Sequence, residues 1–220
     1  MNRRTVLAGL GVAAAAALSG CTQSAPNSEG ETTMDDTTVP DSRADEPPYE
    51  IESPDSDDPE GWNDEYLGEH MPTEPSLPFE RIRYARLADP SLQNPDGEAY
   101  HVRLLRDADE RDAVLDLEAT DEDARERLEA VDFEESVLVV VESGFGSSSV
   151  DHRWARVEDA ADGIHLHGYY TDPFEQLSDI DAWHSVLEVE RPNAGPDLAR
   201  VSLTVDERRR VHFDSTSASR

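Results

Sequence analysis

The chain of 220 residues contains no lysine and a single cysteine, Cys21. One thiol can close no internal disulfide and cannot supply a structural zinc site built on thiolates. Basic charge is scarce as well. Nineteen basic residues, all arginine, stand against 50 acidic ones, and 19 − 50 gives a formal net charge of −31. Such a field repels phosphate backbones and anionic lipid surfaces, which excludes nucleic acid as a partner.

Catalytic signatures are missing too. No Gly-x-Ser-x-Gly turn occurs; Gly144-Phe145-Gly146-Ser147-Ser148 places its serine differently, and no helical pattern follows it. No glycine-rich turn opens a helix for a phosphate or dinucleotide, and calcium loops of the Asp-x-Asp-x-Asp-Gly type are absent, Asp159 to Gly163 being only loosely similar. No carboxylate pair suited to glycoside hydrolysis stands out among 50 acids. The expectation is therefore a non-enzymatic protein, with no catalytic residue and no cofactor.

What the sequence does contain begins at its N-terminus. Met1-Asn2-Arg3-Arg4-Thr5-Val6-Leu7 leads into the apolar run Ala8 to Leu18, which closes with Leu18-Ser19-Gly20-Cys21. A charged segment, a short apolar segment and a small-residue processing site form an export signal. The apolar segment has about a dozen residues where a membrane-crossing helix needs about 20. Arg3 and Arg4 followed by Thr-Val-Leu resemble the twin-arginine export motif, with Val6 where phenylalanine is usual. Leu18-Ser19-Gly20-Cys21 resembles the lipobox of bacterial and archaeal lipoproteins. That resemblance implies removal of residues 1–20, alkylation of the Cys21 thiol by lipid, and a protein held on the extracellular face of the cell membrane. A single lipid chain anchors reversibly.

Loss of Arg3 and Arg4 with the signal takes the mature chain to 17 − 50 = −33. Acid excess combined with lysine depletion resembles the surfaces of extreme halophiles, where a Debye length of about 3 Å at molar salt screens the self-repulsion. The resemblance implies a haloarchaeal source and a fold adapted to high salt.

From residue 21 to 78 Asp, Glu, Pro, Ser and Thr dominate, as in Glu52-Ser53-Pro54-Asp55-Ser56-Asp57-Asp58-Pro59. Low hydrophobicity with high charge predicts a disordered, lipid-anchored acidic linker with a reach on the order of 40 Å. Within it Trp62 to Leu67 either docks on the domain as a short hook or stays loose with the rest.

Residues 79–220 have the length of one domain. Phe79 to Leu87 and Tyr100 to Arg106 alternate as strands, with a turn at Asn94-Pro95-Asp96-Gly97. Asp107 opens a helical stretch with Ala113, Val114 and Leu117 on one face, and Thr120 is placed to cap a second helix from Asp121 to Ala130. The uninterrupted run Ser136 to Val141 predicts a strand buried on both faces at the centre of the core. Strands are then predicted at 149–158, 163–171, 182–190, 199–205 and 209–213, as a meander. The fold class expected is α+β: two short helices followed by a mainly antiparallel β-sandwich or barrel, after a disordered acidic tether.

Val131-Asp132-Phe133-Glu134-Glu135-Ser136-Val137-Leu138-Val139-Val140, followed by Gly144 and Gly146, resembles the PrcB-type C-terminal domain, a small extracytoplasmic module. That resemblance covers about half of the chain and implies a binding or accessory domain with a protein or cell-envelope partner. One constellation points elsewhere. His165 and His167 flank Leu166 and project from one face of a strand, where they can bridge zinc or copper with His152, His184 or Asp172 as a third ligand. The alternative is a half-buried strand with its polar residues turned to solvent.

Overall fold

The computed structural model of the protein describes residues 51–55, 57, 62, 66–94 and 99–216. Arg3, Arg4 and Cys21, and the tether up to residue 50, lie outside the described residues. The elements run β1 (Phe79–Ile82), β2 (His101–Leu105), α1 (Ala108–Val114), α2 (Glu122–Glu129), β3 (Ser136–Gly146), β4 (His152–Ala160), β5 (Gly163–Tyr170), β6 (Asp181–Glu190), β7 (Leu198–Asp206) and β8 (Arg209–Asp214).

The strands form two four-stranded sheets, ordered β1-β6-β3-β2 and β4-β5-β7-β8. Every strand pair is antiparallel except β5–β7, which is parallel. The expected α+β sandwich is what the chain adopts. Its route is not a meander, because the chain crosses to the second sheet for β4 and β5, returns for β6, and crosses again for β7 and β8. Adjacent strands separated by such an excursion can run in the same direction.

The central strand β3 shows why the run Ser136 to Val141 needs no polar alternation. Val137, Val139 and Val141 point into the layer between the sheets, against Val157, Ile164, Leu166, Val201 and Leu203. Leu138 and Val140 point the other way, against Leu115, Ala124 and Leu128 beneath the helices. All five positions from Val137 to Val141 are 0% exposed, each contributing roughly 1.5–3 kcal/mol of apolar burial. The outcome is three layers, with the helices over one face of the first sheet and the second sheet over the other.

Local chemistry moves several boundaries. The β1 strand stops at Ile82 rather than Leu87, and Tyr84 adopts a φ of 64°, outside strand geometry. The glycine segment expected to end β3 is absorbed into it: a register shift lies between Glu142 and Phe145, where Gly144 takes a φ of 82°. Asp121, one residue after the expected Thr120, caps α2 by accepting from the Asp123 amide. Thr120 is buried, its hydroxyl donating to the Asp116 carbonyl at 2.7 Å and accepting from the Arg86 amide at 2.9 Å.

The largest difference lies at the N-terminal side. Ile51, Tyr66 and Leu67 are 5%, 5% and 3% exposed and belong to the inter-sheet core, with Trp62 and Leu77 packed against it. The body therefore reaches past Phe79, where the sequence reading began it, and Trp62, Tyr66 and Leu67 of the possible hook dock on it. A few apolar residues in a polar stretch suffice, because composition averaged over a linker hides individual anchors. Tyr66 is fixed further by donating its hydroxyl proton to Oε1 of Glu207 at 2.6 Å.

Candidate functional site

His165 and His167 alternate along β5 with Ile164 and Leu166, which face the core. Both imidazoles thus stand on the outer face of the second sheet, ring centroids 4.0 Å apart. That face is not turned to solvent, since His165 is 3% and His167 0% exposed. The two-residue turn between β4 and β5 sets Ala160 opposite Gly163, and the register then places Glu158 opposite His165 and Arg156 opposite His167.

A hydrogen-bonded layer results. Arg156 Nε donates to Glu158 Oε1 at 2.9 Å, and Glu158 Oε2 lies 3.5 Å from Nε2 of His167. Arg210 Nη2 donates to Nδ1 of His167 at 3.2 Å. A guanidinium has no acceptor, so Nδ1 must accept and the imidazole proton sits on Nε2. The Ser202 hydroxyl joins Nε2 of His165 at 2.7 Å to Nδ1 of His212 at 2.8 Å. Burial, followed by the charges of His165, Arg156 and Arg210, pushes the His167 pKa down to about 2. The His212 pKa is lowered too, first by burial and then by Arg210.

One ligand atom each from Glu158, His165 and His167 lie within 4.8 Å of one another, and two imidazoles with a carboxylate form a donor set suited to zinc. Of the third ligands expected from sequence, none joins them. His152 is held by Ser143 and Ser185, His184 Nε2 meets the Ala85 carbonyl at 2.8 Å, and Asp172 accepts from Gln176. Glu158 takes that position. Its signal was the turn: placing it at Ala161-Asp162 and counting back along both strands pairs Glu158 with His165.

A second arrangement has no counterpart in the sequence reading. The ends of β1, β4 and β6 frame an open cleft of about 560 Å³. Among the described residues Arg81, Arg83, Arg86 and Arg153 line it together with Asp151 and Asp181, an arginine-rich lining in a chain of −31. Arg81 Nη2 reaches Asp151 Oδ1 at 2.6 Å, while Arg83 and Arg153 approach Oδ2 at 3.5 and 4.0 Å. Partial burial pushes the Asp151 pKa up, but the Arg81 hydrogen bond and the Arg81 and Arg83 charges outweigh it and hold the carboxyl below its usual range. Trp62 and Trp183 supply aromatic wall, and Tyr84 is 74% exposed at the cleft.

Behind the cleft, His152 bridges two serines. Its Nε2 meets the Ser143 hydroxyl and its Nδ1 the Ser185 hydroxyl at 2.7 Å, while Tyr170 donates to the Ser143 carbonyl at 2.6 Å. Ser143 is 0% and His152 2% exposed. Burial first, and then the Arg81 charge, push the His152 pKa down to about 3. A nucleophile needs an accessible hydroxyl and a base oriented by a third group, usually a carboxylate. Here Ser185 stands where that carboxylate would be, and the hydroxyl is sealed.

Comparison of the chain with protein-family models, with curated proteins and with solved structures found no match. The functional reading rests on the residues themselves.

Proposed function

We propose that the chain is a lipid-anchored extracytoplasmic lipoprotein of a haloarchaeon, exported through its twin arginines, whose domain is a non-catalytic binding or accessory module adapted to high salt. Arg3-Arg4 and Leu18-Ser19-Gly20-Cys21 support the address. The observation that carries the binding role is the contrast between the two polar arrangements: the imidazoles of His152, His165 and His167 are sealed from solvent, whereas the arginine-lined cleft is open. A partner at the cell surface, a protein or an envelope component, meets that cleft. The PrcB-type likeness of the segment from Val131 to Gly146 agrees with an accessory role.

The test is a broad hydrolase and oxidoreductase screen of the purified protein in multimolar KCl. No turnover is expected; turnover abolished by one polar substitution in the cleft overturns the reading. The second reading is a histidine-based metal-binding protein or small metalloenzyme on the cell surface, favoured by the convergence of Glu158, His165 and His167. It ranks second because Arg156 and Arg210 already engage Glu158 and His167, and metal must displace the proton on Nε2.

A further inference from the structure

We propose that the cleft is a binding site for a small carboxylate-bearing ligand with a ring, the carboxylate met by Arg83 and Arg86 and the ring lying against Trp183 and Tyr84. The inference deepens the binding-module reading and rests on it.

The first ground is charge placement. Elsewhere among the described residues the ion pairs set one arginine on one or two acids: Arg106 pairs with Glu110, Arg200 with Asp162, and Arg127 with both Glu80 and Glu188. In the cleft two arginines, Arg81 and Arg83, meet the one carboxylate of Asp151. Arg81 is committed twice, to Asp151 and to the His152 carbonyl at 2.9 Å. Arg83 is different. Its side chain is 50% exposed, stands 3.5 Å from Asp151 Oδ2 and lines the cleft, and a guanidinium carries five donors. Arg86, also exposed, lines the same cleft.

The second ground is shape and composition. A volume of about 560 Å³ lies within the range of roughly 300–1,000 Å³ typical of small-molecule sites. Trp183 is anchored, its Nε1 donating to the Ser147 carbonyl at 3.0 Å and its ring set edge-on to Tyr170 at 4.8 Å. Tyr84 is held at a φ of 64°, a region that non-glycine residues occupy at a cost and that recurs at ligand clamps. Asp151 already shows a carboxylate held there, with Arg81 close on one oxygen at 2.6 Å and Arg83 standing 3.5 Å from the other.

Salt decides how such a site must work. At molar ionic strength charges act over about 3 Å, so long-range attraction contributes nothing and a ligand is held only by direct contact. Bidentate guanidinium–carboxylate bonding and ring stacking are both contact interactions, and together they select a compact ligand carrying both groups.

The full chain is titrated in multimolar KCl by calorimetry and by tryptophan fluorescence. The probes are benzoate, benzyl alcohol with the ring alone, acetate with the charge alone, and phenyl phosphate with the other oxyanion. Benzoate is expected to give saturable heat and a fluorescence change. Arg83→Gln and Arg86→Gln should each weaken it about tenfold, the scale of one charge-assisted contact, while Arg208→Gln, on the exposed turn between β7 and β8, leaves it unchanged. Both cleft substitutions are at exposed positions, and an unaltered thermal midpoint verifies the fold. Absence of saturable benzoate binding overturns the proposal, as does binding equal in wild type and Arg83→Gln, or a preference for phenyl phosphate. The binding-module reading would outlast that failure if cross-linking in native salt captured a partner from intact cells equally well with Arg83→Gln.

Discussion

Glu158 on β4 and His167 on β5 stand 3.5 Å apart, carboxylate oxygen to Nε2, in a layer that excludes solvent from both. The partners on their far sides decide what the pair does: Arg156 holds one Glu158 oxygen and Arg210 donates to the other His167 nitrogen. The expected result of titrating the protein with zinc or copper ions at neutral pH is no calorimetric heat in the micromolar range. Micromolar binding lost in His167→Ala and in Glu158→Gln would make the metal reading the first.

Acid sensitivity follows from the same burial. In the folded state His152 and His167 are neutral, with pKa values pushed to about 3 and about 2, whereas in the unfolded chain they titrate near 6.5. Below that value the unfolded state binds more protons. Stability present above pH 6.5 is therefore lost as pH falls, by at most about 1.4 kcal/mol per pH unit for each imidazole. Asp151, whose pKa is lowered, gives up its contribution only near and below about pH 4, so the decline between roughly pH 5 and 6.5 belongs to the histidines. Urea midpoints across that window should fall with acidity in wild type and fall less in His152→Gln. A flat wild-type profile contradicts neutral burial of both rings.

The N-terminal anchors give a sharper mutational test. Leu67 is 3% exposed within the core, and Leu67→Ala should cost about 2–5 kcal/mol, the usual range for a buried leucine. A chain beginning at Phe79 loses Ile51, Tyr66, Leu67 and Leu77 together and should fail to give a cooperative thermal transition. Equal midpoints for the full chain and the shortened one would return the boundary to Phe79.

These anchors mark the limit of what the residues alone disclosed. The run from Val137 to Val141 announced a strand buried on both faces because no polar residue interrupts it, and the α+β class followed from the order of periods. For Tyr66 and Leu67 the sequence left docking and a loose linker equally open, since their surroundings are acidic and burial there depends on partners far along the chain, such as Glu207. The parallel β5–β7 pair was hidden, because strand order is set by crossings between sheets that no local turn encodes. Of the candidate site, the shared face of His165 and His167 was legible from alternation. Glu158 required the exact turn, and the arginine cleft required three strand ends to meet.

Dependence on salt tests the environment proposed for the protein. With −31 on the chain, removal of screening ions restores repulsion between surface carboxylates. Circular dichroism and the thermal midpoint should decline steadily from multimolar KCl to dilute buffer. A fold indifferent to salt across that range sinks the halophilic reading.

The central claim is the lipid on Cys21, and one comparison addresses it most directly: detergent phase partition, with intact mass, of wild type and Cys21→Ser expressed in a haloarchaeal host. The wild-type protein should enter the detergent phase, its mass carrying a lipid and lacking residues 1–20. Cys21→Ser should appear in the medium or persist as uncleaved precursor. An unmodified wild-type protein found wholly in the aqueous phase would contradict the anchor.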